Sequence, residues 1–168
     1  MCLESSTHEH NSFLTLTYAE HCVPAKLDIR DMQKFIKRLR KSTGVKLRYF
    51  VCGEYGARSL RPHWHMMIFG WRPRVNGLVS LRSWPHGGCY AGEVTAASAA
   101  YVGRYSLKSG KHGDDNVVAM SRKPGLGLDR IGSIGSYLAT VKSEVDYIPA
   151  WLRYGKRLYP IDRTARDV

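Results

Sequence analysis

The run Pro62-His63-Trp64-His65-Met66-Met67-Ile68-Phe69-Gly70 limits the fold of this chain more than any other segment. It carries no acidic residue, Lys or Arg and ends on the core run Met66 to Phe69, so it reads as a strand. Side chains two apart on a strand share a face. His63 and His65 therefore project together, while Trp64 and Met66 point the other way, toward a core. A chain with this segment must build a sheet, and one face of that sheet carries two adjacent imidazoles.

The flanking pattern supplies the rest of the sheet. Phe13-Leu14-Thr15-Leu16-Thr17-Tyr18 is a period-two strand. Asp28 caps a helix that runs to about Thr43. Its apolar positions Ile29, Met32, Phe35, Ile36 and Leu39 step by three and four, and Gly44 closes it. Its other face, with Lys34, Lys37, Arg38, Arg40 and Lys41, reads as solvated surface. Lys46 to Tyr55 is a second strand, joined through the basic loop Arg58 to Arg61 to the histidine strand as an antiparallel hairpin. Residues 71–92 are rich in Gly, Pro and Trp and read as an irregular excursion with room for one short strand. Thr95 caps a second helix to about Ser109, residues 110–116 form a polar loop, and Val117 to Met120 is a further strand. Residues 121–127 form a basic glycine turn. Residues 1–11 are expected to be loose, and residues 129–168 to hold one or two short helices and a basic tail. The order strand, helix, strand, strand, helix, strand predicts an α+β fold. Its centre is a ferredoxin-like, RRM-like antiparallel sheet with flanking helices, in one domain over 1–168.

Charge narrows the partner. The 168 residues hold 26 Lys plus Arg against 14 Asp plus Glu, a net +12 with a pI near 9.8. Such an excess favours a polyanion, and nucleic acid ahead of an anionic membrane. No apolar run is long enough to span a bilayer, and the first ten residues lack the basic and apolar regions of a signal peptide. Cys2, Cys22, Cys52 and Cys89 are scattered, with no C-x-x-C pair, so reduced thiols in a cytoplasm are expected rather than a zinc knuckle.

Two constellations carry chemistry. Glu54, on the neighbouring strand of the hairpin, can reach the face of His63 and His65. Two imidazoles and one carboxylate can grip a divalent ion and leave positions open for a phosphodiester oxygen and water. The bland reading of H-x-H is a pair of half-buried histidines bonded to backbone. On the second helix, Tyr101 and Tyr105 lie four apart and share a face, with Arg104 three residues after Tyr101 and Lys108 three after Tyr105. A nearby cation favours the phenolate and can stabilise charge on a phosphorane-like transition state. In-line attack by a phenol would leave a 5′-phosphotyrosine link and a free 3′-hydroxyl. A zinc hydrolase and a non-catalytic RRM-like nucleic-acid binder stand as the competing readings.

These residues resemble the HUH endonuclease superfamily, and more narrowly the replication initiators of microviruses in their gokushovirus branch. The matching segments are FLTLTY (13–18), FIKRLRK (35–41), CGEYG (52–56), RPHWHMMIFG (61–70), AAYVGRYSLK (99–108) and MSRKPGLG (120–127), in the family's order. The resemblance implies nicking and joining of single-stranded DNA at a viral origin to drive rolling-circle replication in the host bacterial cytoplasm. It implies His63, His65 and Glu54 as ligands of magnesium or manganese. It implies Tyr101 and Tyr105 as the two nucleophiles, with Lys108 one turn on. The Tyr-x-x-Lys spacing points to Tyr105 for the first nick, and Arg104 stands where related initiators often have Lys. The chain is also shorter than such initiators, as a trimmed or naturally minimal catalytic domain would be. A transposase or relaxase of the same superfamily is the near alternative; relaxases place the nucleophile before the histidines, and single-tyrosine transposases lack the tyrosine pair.

Single-stranded DNA should lie across the metal. The basic candidates are Arg58, Arg61, Arg72, Arg74, Arg104, Arg122 and Lys123, and Trp71, Trp84 and Tyr55 are candidates for base stacking. A monomer is expected, with host replication proteins as further partners and no membrane.

Overall fold

A computed structural model describes residues 1–56, 58–107, 117–140, 151–154 and 156–160. The sheet is built from β1 (Asn11–Thr17), β2 (Arg48–Tyr55), β3 (Pro62–Phe69), β4 (Gly77–Val79), β5 (Cys89–Gly92) and β6 (Val117–Met120). The strand order is β4-β5-β1-β3-β2-β6, and every pairing is antiparallel. The histidine strand β3 sits between β1 and β2. Helix α2 (Ile29–Thr43) links those two mutually parallel strands, which is the expected split βαβ arrangement. The fold is α+β, with an antiparallel sheet flanked by helices, as the pattern predicts.

Strand alternation divides the core into two layers. On one face, Leu14, Leu16, Val51, Trp64, Met66 and Ile68 pack against Met32, Phe35, Ile36 and Leu39 of α2. Asp28 accepts the Arg30 N–H at 2.9 Å to start that helix, and Gly44 ends it at φ +69°. On the other face, Phe50, Cys52, Met67 and Phe69 pack against Ala99 and Val102 of α3 (Ala96–Leu107). The small residues of α3 bring it close to the sheet. Its start is fixed by a reciprocal pair: Ser98 N–H donates to Thr95 Oγ1 at 3.1 Å, and Thr95 N–H donates to Ser98 Oγ at 2.8 Å.

Three segments depart from the sequence reading. The excursion at 71–92 contributes two strands; β5 pairs with β1 because Cys89 and Ala91 alternate inward into the α2-side core. Residues 1–11 are not loose: Cys2–Ser5 form a short helix, α1, anchored by Glu4, which is 2% exposed. The Glu4 carboxylate meets Arg48 Nε at 2.6 Å and His8 Nε2 at 3.0 Å, and it accepts the Gly127 N–H at 2.7 Å. A charge so placed ties the N-terminus to β2 and to the basic glycine turn. Toward the C-terminus, α4 (Leu128–Thr140) is followed by a two-stranded ribbon, β7 (Trp151–Tyr154) and β8 (Arg157–Pro160), where the sequence reading expects only helices and a tail. Trp-Leu-Arg-Tyr and Arg-Leu-Tyr-Pro are rich in the residue types that favour strands.

Candidate active site

The registers explain how three strands assemble one site. Glu54 on β2 lies directly opposite His63 on β3, and Thr15 on β1 lies opposite His65. Directly opposed residues share a face and approach closely. Glu54 Oε1 is 2.8 Å from His63 Nε2 and 3.0 Å from His65 Nε2. The three ligand atoms all lie within 4.8 Å of one another. The other two ring nitrogens are held from behind. His63 Nδ1 is 3.1 Å from the Arg61 carbonyl, and His65 Nδ1 is 3.1 Å from Thr15 Oγ1.

The donor set fits a divalent cation. A carbonyl only accepts, so Nδ1 of His63 carries a proton and donates to Arg61. In a neutral ring, Nε2 then points a lone pair at a carboxylate oxygen, and two acceptors at 2.8 Å need a proton or a cation between them. Burial by itself would raise the Glu54 pKa, but the hydrogen bonds from His63 and His65 outweigh it and hold the carboxyl down at about 2. Burial likewise disfavours charge on His63, yet Glu54 and the Arg61 carbonyl win and raise its pKa. The site therefore concentrates negative charge where a cation would sit. Neighbouring Cys52 is no competing ligand: burial, helped by Glu54, pushes its thiol up to about 12.

Glu54 is positioned by Gly53. A Cβ at Gly53 would lie 2.7 Å from Cζ3 of Trp64, so the bulky indole behind the histidines fits only because this strand position has no side chain. Tyr18 anchors the same region, accepting from Trp64 Nε1 at 2.9 Å and donating to Asp31 at 2.8 Å.

Tyr101 completes the site from α3. Its ring meets the His65 ring edge-on at 5.1 Å and the Phe13 ring at 6.3 Å, and Phe13 in turn stacks on His65 at 5.8 Å. Tyr101, His63, His65, Thr15, Thr17 and Arg61 line one cleft of about 360 Å³. A phenol, a cation-binding triad and a guanidinium thus share one open volume. The backbone of Tyr105 continues α3 one turn on, and its side chain and all of Lys108 lie outside the described residues.

The proposed DNA contacts divide sharply. Arg61 is at the cleft, donating to Glu20 at 2.7 Å and to the Tyr18 carbonyl at 3.0 Å, and Arg58 is exposed in the adjoining turn. Arg104 is exposed on α3. Arg72 and Arg74 follow the opposite end of β3, about 20 Å from His63 at the strand rise of ~3.3 Å. Arg122 and Lys123 lie in the turn after β6, whose end pairs near the start of β2, away from Glu54. Trp84 is unavailable for stacking: it is 2% exposed, donates to the Thr17 carbonyl at 3.0 Å and packs on Phe35 and Tyr18. Trp71 is half-buried against the α2-side core. The Tyr55 hydroxyl accepts the Leu27 N–H at 3.0 Å. The sequence reading misses Phe13 and Thr15, although the alternation in FLTLTY already sets them on one face.

The family described as replication-associated protein ORF2/gene 2 protein matches residues 11–110, from β1 past the described part of α3. The chain belongs to this family. The match contains the triad and both tyrosines. The chain is 39% identical over 135 residues to the replication-associated protein VP4 of Bdellovibrio phage phiMH2K, covering 67% of this chain and 43% of that protein. It is 35% identical over 129 residues to the replication-associated protein ORF4 of Chlamydia phage 1, covering 63% and 32%. It is 31% identical over 133 residues to the replication-associated protein ORF2 of Spiroplasma virus 4, covering 61% and 40%. The chain thus spans less than half the length of each of these relatives. No solved structure matches it. Membership bears out the resemblance to phage replication proteins, and a role in viral replication follows. Among the described residues, no helix is long and apolar enough to cross a membrane.

Proposed function

We propose that this member of the replication-associated family nicks and rejoins single-stranded DNA at a viral origin, starting rolling-circle replication in the host cytoplasm. The observation that carries this reading is the shared cleft: the phenol-bearing face of α3 lies against the imidazole of a three-ligand triad. Glu54, His63 and His65 would hold magnesium or manganese, which when bound supplies Lewis-acid polarisation of a phosphodiester oxygen. Thr15 and the Arg61 carbonyl orient the two imidazoles. Arg61 and Arg58 draw the phosphate backbone in.

Tyr101 attacks phosphorus in line. The Tyr101 O–P bond forms, the P–O3′ bond breaks, and the phenolic proton leaves to solvent as the 3′-oxygen takes up another. One phosphodiester is exchanged for another, so the strand is rejoined without a nucleotide cofactor. Tyr105, on the same helix, is the second nucleophile for release of a circular unit, with Arg104 and Lys108 as charge partners. The partner is single-stranded DNA, the chain acts as a monomer, and host replication proteins extend the freed 3′-end.

The test is an origin-derived single strand with manganese, resolved on a denaturing gel. The reading expects a covalent protein–DNA band, abolished in His63→Ala and in the double variant Tyr101→Phe/Tyr105→Phe. Cleavage that persists in the double variant makes water the nucleophile and ends this mechanism.

A further inference from the structure

The cleft does not end at the triad. We propose that Tyr90, with Phe13, forms a stacking shelf for a nucleobase of the single strand bound in the cleft, an inference that rests on the single-strand reading above. Leu78 on β4 pairs with Tyr90 on β5, Tyr90 pairs with Thr15 on β1, and Thr15 pairs with His65 on β3. Residues directly opposed across antiparallel strands share a face. Tyr90 and His65 therefore lie on the same side of the sheet, two strands apart, which is about 10 Å at ~4.8 Å per strand.

Tyr90 is 52% exposed, yet its neighbours Cys89 and Ala91 are buried at 3% and 0%. Its exposure is a property of the face and not of a loose strand. The residues beside it on that face are Gly88 and Gly92. A Cβ at Gly92 would lie 3.8 Å from Tyr90 Cε1 and 3.9 Å from Phe13 Cδ1, so both rings border one uncluttered strip of backbone. Phe13 lies nearly parallel to His65, at 13°. The aromatic surface thus runs from the triad through Phe13 to Tyr90 and on to Leu78, which is 86% exposed. Arg74 and Arg82, both exposed, flank β4 in the chain and offer charge to a phosphate backbone. An open aromatic beside cations and a +12 charge fits a base of a polyanion better than an apolar protein surface. Every base has a π-face, so the shelf accepts any sequence.

The probe is a short fluorescein-labelled oligothymidylate, titrated by anisotropy in EDTA so that no cleavage occurs. Tyr90→Ser should raise Kd roughly 5- to 100-fold, the range of one lost base–aromatic stack, while Tyr90→Phe and Tyr90→Trp stay within about twofold of the parent. The log–log salt slope of Tyr90→Ser should equal that of the parent, because no phosphate contact is removed. In the unaltered chain, photocrosslinking of a 5-iodouracil oligonucleotide should label Tyr90. An unchanged Kd in Tyr90→Ser, an equal loss in Tyr90→Phe, or crosslinks that avoid Tyr90 each overturn the proposal. A parent that binds but never nicks removes the nickase reading and leaves the shelf; a parent that binds no single strand removes both.

Discussion

Glu54→Gln isolates the charge at the centre of the site. The substitution keeps the shape and one acceptor oxygen, but it removes the negative charge that two imidazoles face at 2.8 and 3.0 Å. The Glu54 side chain is 11% exposed, so little water compensates for the loss. Hydrogen bonds to charged groups contribute about 1.5–3 kcal/mol each. With one oxygen shared between two rings and burial opposing the charge, a net loss of about 2 kcal/mol is expected for the metal-free protein. For a chain of this size that is a fall in Tm of about 6 °C. The pH dependence has a definite sign. Glu54 has a depressed pKa, so its contribution is present above the unfolded value and lost as pH falls through about 2. His63 has a raised pKa, so its contribution is present below the unfolded value of 6.5 and lost as pH rises through its folded value. The pair is complete near pH ~6, where His63 is charged and Glu54 ionised. Thermal melts of the parent and Glu54→Gln in EDTA, followed by circular dichroism across pH, should show the largest gap near pH ~6, shrinking toward pH ~9. A gap that widens at alkaline pH, or no gap at either end, would refute the charge-pair account.

Three further perturbations test the scaffold. Gly53→Ala forces a Cβ to 2.7 Å from the buried Trp64 ring and should destabilise by about 1–3 kcal/mol in urea titrations; an unchanged midpoint would show that the ring shifts freely. Glu4→Gln leaves Arg48 facing a neutral partner and should destabilise by about 3 kcal/mol, with protease cleavage before Asn11 accelerated; unaltered cleavage would mean that Glu4 is not the anchor. Thr15→Val removes the oxygen beside His65 Nδ1 and should weaken manganese binding by about 10- to 100-fold in calorimetry with the fold intact; equal affinity would release Thr15 from its orienting role.

The parts legible in the sequence are those set by local periodicity. His63 and His65 share a face because a strand alternates, and α2 buries Met32, Phe35, Ile36 and Leu39 as its spacing requires. The reach of Glu54 follows from the short hairpin loop. What escapes depends on contacts distant in sequence. Trp84 resembles any loop aromatic until β5 docks on β1 and closes the core around it. Glu4 looks like a solvent-exposed acid until β2 brings Arg48 beneath it and the glycine turn offers its N–H. Closeness in the chain puts Arg72 and Arg74 beside the histidine motif, but β3 is long enough to carry them to the far end of the sheet. Tyr90 is hidden in a Gly-rich stretch, and only the register shows that it shares a face with His65.

Peptide mapping by mass spectrometry, after reaction with an origin single strand and manganese, tests the central claim most directly. The account predicts a nucleotide phosphate esterified to Tyr101, and no such adduct on His63→Ala. Cleaved DNA with α3 left unmodified would contradict it.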